Sequence, residues 1–205
     1  MRPGYHDGEL RTALDPTDPM HSLPPLQPQH KTILDVGCGM GQTLFGLKLP
    51  EDVIAYGVDP DWRAIERGRT MMPPNITLYQ GRGESLPFTD SLFDLVICRI
   101  SLPYMRVNQA LAEMHRVLKP GGDLWIELHP PKMTWQRIGG AFKEMALGVY
   151  VLANGFLFNS FGWQLPFRAE TYQTDSGMAK AFDRAGLSLG PVFRNQRHYI
   201  IRGNK

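Results

Sequence analysis

Ile33-Leu34-Asp35-Val36-Gly37-Cys38-Gly39-Met40-Gly41 runs a short apolar strand, ending in an acid, straight into three glycines at alternate positions. Consecutive apolar residues suit a strand buried on both faces of a parallel sheet. Glycines two apart let the backbone turn sharply and approach a ligand with no Cβ in the way. A helix-forming segment from Gln42 to Leu49 follows, so the stretch reads as strand, turn and helix at a nucleotide-like cofactor site. The spacing is Gly-x-Gly-x-Gly. Dinucleotide sites use Gly-x-Gly-x-x-Gly, whose third glycine serves helix packing beside a pyrophosphate, and the difference argues against a nicotinamide or flavin dinucleotide. Alone, the triplet is equally a tight strand-to-helix turn.

The downstream spacing decides between these readings. A second apolar run, Val53 to Val58, ends in Asp59, where an α/β nucleotide fold places an acid on a ribose diol. Then come Gly83-Glu84-Ser85-Leu86-Pro87-Phe88, Phe93-Asp94-Leu95-Val96-Ile97-Cys98 and Arg116-Val117-Leu118-Lys119-Pro120-Gly121-Gly122-Asp123-Leu124-Trp125-Ile126. With these blocks in this order, covering Lys31 to about Glu127, the chain strongly resembles the class I S-adenosylmethionine-dependent methyltransferases. Within that family it is most similar to the broad small-molecule group that includes ubiquinone and menaquinone methyltransferases. The resemblance implies a Rossmann-like domain, S-adenosyl-L-methionine as cofactor and S-adenosyl-L-homocysteine as product.

Alternating strand and helix patterns predict βαβ units on a parallel sheet. Strands are expected near Thr32 to Val36, Val53 to Val58, Thr77 to Gln80, Asp94 to Cys98 and Leu124 to His129. Val107, Ala110, Leu111, Met114, Val117 and Leu118 fall at helical spacing before Gly121-Gly122. Asp175 is expected to cap a later helix, and Ser188 to Arg194 and His198 to Arg202 to form a hairpin across a tight Asn195-Gln196 turn. By resemblance this makes a doubly wound, mostly parallel seven-stranded α/β sheet with an antiparallel last strand. Prolines at 3, 16, 19, 24, 25 and 28 predict an irregular arm over residues 1–30, either a tail or a lid using Tyr5, His6 or His21. By the same resemblance residues 31–205 are expected to form the methyltransferase domain, with 131–173 a cap or substrate-covering insertion after the fifth strand.

The resemblance places Asp35 with Gly37, Gly39 and Gly41 at the methionine end of the cofactor, and a carboxylate also suits a sulfonium cation. Asp59, with Pro60 behind it, can accept both ribose hydroxyls or cap the next helix. Gly83 and Glu84 are the adenine neighbours; Arg82 stands where relatives commonly carry an acid, and a guanidinium only donates. Arg99 belongs to the same strand-end cluster, where open α/β sheets collect ligands. Methyl transfer is an in-line displacement, so alignment and exclusion of water supply much of its acceleration. Tyr104, in Arg99-Ile100-Ser101-Leu102-Pro103-Tyr104, is expected to pack on cofactor or acceptor, and His129 is the candidate general base.

Composition bounds the rest. The 205 residues suit one domain, and 22 Lys plus Arg against 20 Asp plus Glu, with no basic run, leave no nucleic-acid footprint. Cys38 and Cys98 read as small buried hydrophobes without metal-ligand spacing, so no metal is expected. The N-terminal residues lack the apolar core of a secretion signal, and a cytoplasmic enzyme is the expectation. Met145 to Trp163 carries no charge, and reads as a buried helix, a wall for an apolar or aromatic acceptor, or a contact with a membrane surface or second subunit. A small-molecule methyltransferase is favoured; a homodimer is left open, and a cofactor-binding interaction protein without transferase activity is the alternative.

Overall fold

The computed structural model describes residues 5–129, 142–166 and 170–205. Its helices are α1 (Tyr5–Leu14), α2 (Gln42–Gly46), α3 (Trp62–Arg69), α4 (Val107–Val117), α5 (Phe142–Phe161) and α6 (Asp175–Ala185). Its strands are β1 (Thr32–Val36), β2 (Ile54–Asp59), β3 (Ile76–Gln80), β4 (Phe93–Arg99), β5 (Leu118–Leu128), β6 (Ser188–Arg194) and β7 (Tyr199–Asn204). They form one seven-stranded sheet in the order β3-β2-β1-β4-β5-β7-β6, with β7 antiparallel to β5 and to β6. This is the doubly wound sheet expected from the sequence.

Burial follows from strand alternation. Ile33 on β1 points to one face, where Leu44 of α2, Ile65 of α3 and Leu78 of β3 pack on it. Leu34, the next residue, joins the opposite face with Leu111 of α4, Phe158 of α5 and Phe182 of α6. Each fully buried side chain of this size contributes about 1.5–3 kcal/mol. The chain winds outward from β1 through β2 to β3, then returns to β4 on the other side of β1. That reversal separates the loops after β1 and β4 and opens a crevice at their carboxyl ends.

Several local expectations change. The first arm is not irregular throughout: α1 occupies the proline-free window between Pro3 and Pro16, long enough for a helix of 10 residues. The helix after the glycine turn stops at Gly46, short of Leu49. Leu118 is already extended and begins β5, so α4 ends before Gly121-Gly122. Thr174, not Asp175, caps α6 by accepting from the Gly177 N–H, and Asp175 instead accepts from Tyr199 Oη at 2.6 Å. The hairpin closes through Asn195 to His198: Asn195 N–H donates to the His198 carbonyl, and its side chain accepts from Arg197 and His198 N–H.

The charge-free stretch has two faces. Gly148, Val151, Asn154, Gly155 and Phe158 are buried at helical spacing. Asn154 donates to Glu170 O and accepts from Leu165 N–H, both at 2.8 Å, while Asn159 donates to Tyr172 O and accepts from Thr174 N–H. These amides bind the returning chain onto α5. The other face leaves Phe156, Phe161 and Trp163 exposed at 64%, 57% and 70%. Among the described residues no helix is long and apolar enough to cross a membrane.

Candidate functional site

The loops after β1, β2 and β4 enclose a cavity of about 270 Å³. Gly37, Gly39 and Gly41 all have left-handed backbone, with φ of 79°, 58° and 83°, which only glycine adopts without strain. Their neighbours reinforce that choice. A Cβ on Gly37 would collide with Ser101, and one on Gly39 would lie 2.8 Å from the His6 ring and 2.9 Å from Gln42 Nε2. Gly37 and Gly39 line the cavity, whereas Gly41 faces Met72 and Leu78 and serves packing.

Asp59, at the end of β2, fixes this turn. Its Oδ2 accepts from Gly39 N–H and its Oδ1 from Asp61 N–H, each at 2.8 Å. Burial raises its pKa above the usual carboxylate range, against these two backbone donors. Asp59 is not the cap of α3. Asp61 is, accepting from Arg63 and Ala64 N–H. Each carboxylate oxygen keeps further acceptor capacity, and both Asp59 and Pro60 line the cavity.

Asp35 lies behind the turn rather than on the cavity wall. Both its oxygens are buried and no hydrogen bond of standard geometry reaches them from the described residues, with the Thr43 hydroxyl close enough to favour the charged form. Desolvation pushes its carboxyl up to about 7, with Arg99 opposing and Asp59 adding to the rise. Arg99, at the end of β4, donates through Nη1 to Glu9 of α1 at 2.8 Å, and its Nε stands 3.2 Å from Glu127 on β5. Glu127 in turn meets His198 Nδ1 at 2.7 Å. These contacts tie α1 to the sheet beside the cavity, where Glu9 and Arg99 are on the lining.

At the other end, Gly83 and Glu84 line the cavity with Arg82. Glu84 Oε1 accepts from Arg106 N–H at 2.9 Å, at the start of α4. Tyr104 also lines the cavity, on a 3₁₀ turn over Leu102–Tyr104. His129 does not; its Nε2 stands 3.2 Å from Tyr104 Oη, which gives it a route to the cavity through that hydroxyl. No described residue of Met145 to Trp163 lines the cavity, and Phe158 is packed in the core.

Sequence reasoning missed Glu9, Ile100 and Ser101. Ile100 holds φ of 62°, a strained value for a β-branched residue. It is kept there by its N–H donating to Glu127 O at 2.7 Å, and Ser101 Oγ donates to Gly37 O at 2.9 Å across the crevice. No sequence signal marks a positive φ at isoleucine. His21 does not line the cavity; its Nδ1 lies 2.9 Å from Thr12 O at the far end of α1.

The donor set suits S-adenosylmethionine. Acids outnumber cations around the cavity, which suits the net positive charge of a sulfonium and an ammonium with one carboxylate, and the glycines leave room where a Cβ would fill it.

The comparisons agree. A family model described as a methyltransferase domain matches residues 33–122. A demethylmenaquinone methyltransferase of Chlorobaculum parvum is 36% identical over 167 residues, 78% of this chain and 67% of that protein. An uncharacterized protein of Escherichia coli, YafE, is 42% identical over 76 residues, 34% of this chain and 37% of the other. The chain thus spans 37% to 67% of the length of these curated relatives. Among solved structures, the YcgJ protein of Bacillus subtilis superposes with a TM-score of 0.62 at 19% identity, over 98% of this chain and 99% of that one. That likeness is one of fold. With the ordered motifs, the switch-point cavity and a relative at 36% identity, the chain belongs to the class I S-adenosylmethionine-dependent methyltransferases.

Proposed function

We propose that this protein transfers a methyl group from S-adenosylmethionine to a small apolar or aromatic acceptor. The observation that carries the reading is the glycine turn held by Asp59 and open to the cavity. When bound, the cofactor supplies a sulfonium-linked methyl for in-line displacement. Asp59 and Pro60 would hold the ribose, Gly83 and Glu84 the adenine end, and Gly37, Gly39 and Arg99 the methionine end. Asp35, ionised by a nearby cation, would add attraction from behind the turn. Gly41 supports the turn from outside the cavity.

Tyr104, on the cavity lining, would pack against the acceptor beside the methyl group. His129 would orient its hydroxyl and take up a proton through it, which makes His129 a positioning residue. The arm over residues 1–30 would serve as the lid, through α1, on a methyltransferase domain of residues 31–205 with an insertion over 131–173. An apolar acceptor is supported by Tyr5, Ile100, Tyr104 and Met105 on the cavity lining, and by the demethylmenaquinone named for the relative. The wall expected from Met145 to Trp163 lends it no support.

Incubation with methyl-labelled S-adenosylmethionine and a reduced naphthoquinone lacking one ring methyl tests the reading. Label in the ring and equimolar S-adenosylhomocysteine are expected. A second reading, a cofactor-binding interaction protein, draws on the exposed Phe156, Phe161 and Trp163 cluster. It predicts cofactor binding with no label transferred to any acceptor in the quinone, phenol and amine classes.

A further inference from the structure

Both ring nitrogens of His6 are buried and have no hydrogen-bond partner among the described residues. A neutral imidazole carries one N–H donor and one acceptor, and buried groups of this kind are nearly always paired. An orphaned pair of ring nitrogens beside a ligand cavity calls for a partner from the ligand.

The ring is held in place. A Cβ on Gly39 would lie 2.8 Å from its Cε1 and Nδ1, and the ring lines the cavity together with Gly39 and Asp59. Tyr5 stands edge-on to it, with ring centroids 5.4 Å apart. The helix that carries it is pinned on three sides. Asp7 pairs with Arg67 of α3, Glu9 accepts from Arg99 of β4, and Ala13 packs on Gly46 of α2.

We propose that His6 is a hydrogen-bonding contact for the cofactor, supplied by α1 from above the glycine turn; this rests on the S-adenosylmethionine reading. Asp59 can only accept, so a ribose hydroxyl that donates to it keeps its own oxygen lone pairs. An N–H of His6 would donate to that oxygen. The ribose is thereby gripped from both sides, by an acceptor on β2 and a donor on α1.

Calorimetric titration of S-adenosylhomocysteine into the full chain separates hydrogen bonding from packing. His6→Phe keeps the ring and removes both nitrogens, and is expected to weaken binding about tenfold or more. His6→Gln keeps a donor and is expected to stay within about threefold of the unmodified protein. The apo melting temperature of His6→Phe should not fall, since an unpaired buried polar group is removed. Unchanged affinity in His6→Phe, or an equal loss in both variants, overturns the proposal. No binding of S-adenosylhomocysteine to the unmodified chain would instead defeat the cofactor reading on which it stands.

Discussion

The glycine turn and α5 are both built around small residues, yet they differ in what fixes them. Gly37, Gly39 and Gly41 announce themselves by residue type, because their left-handed φ values demand glycine, although the carboxylate on Gly39 N–H comes from Asp59 and the gaps a Cβ would fill are bounded by Ser101 and His6. α5 is determined by what returns to it. Asn154, Gly155 and Asn159 hold Leu165, Glu170, Tyr172 and Thr174, and so decide which side of a largely apolar helix is inside. Short-range constraint makes function legible in a motif. Long-range packing hides it.

The largest expected effect on cofactor binding is at the turn. Gly39→Val places a β-branched residue at φ of 58° and against the His6 ring, and should cut S-adenosylhomocysteine affinity by roughly a hundredfold or more. Near-native affinity in a folded variant would mean the turn is only structural.

α5 offers a paired test of equal chemistry on opposite faces. Phe158→Asp buries an uncompensated carboxylate in the core and should cost on the order of 4 kcal/mol in chemical denaturation. Phe156→Asp, on the exposed face, should stay within about 0.5 kcal/mol. Similar losses in both would mean that the outer face is covered in solution.

A smaller effect belongs to Asp35. Its folded pKa of about 7 lies above its ordinary value of 3.8, so between these limits the native state binds the extra proton. Stability therefore falls as pH rises from about 4 to about 7, and levels off above. Asp35→Asn should flatten that part of the melting-temperature profile and raise the melting temperature at pH 8 more than at pH 5. A profile parallel to that of the unmodified protein would show that Asp35 is not desolvated.

The residues themselves explain what could be read in advance. β1 is found over its expected Thr32–Val36, because a strand buried on both faces allows little but Ile, Leu and Val before a glycine break. A mostly parallel seven-stranded sheet with an antiparallel last strand came with the family resemblance, and the sheet has both features. The six prolines of residues 1–30 mask α1, because the gap between Pro3 and Pro16 is long enough for a helix. Asp59 and Asp61 are two residues apart and chemically alike, so only the hydrogen bonds reveal that one holds the turn and the other caps α3. Glu9 meets Arg99 across 90 positions, a distance over which local pattern carries no information. Phe156 and Phe158 look equivalent in sequence, and their opposite burial comes from the asparagines nearby.

The account stands or falls on equilibrium binding to the unmodified chain, measured side by side for S-adenosylhomocysteine and NAD. Saturable, one-to-one binding of S-adenosylhomocysteine with no detectable binding of NAD is the predicted result. NAD binding as tight as, or tighter than, that of S-adenosylhomocysteine would contradict it.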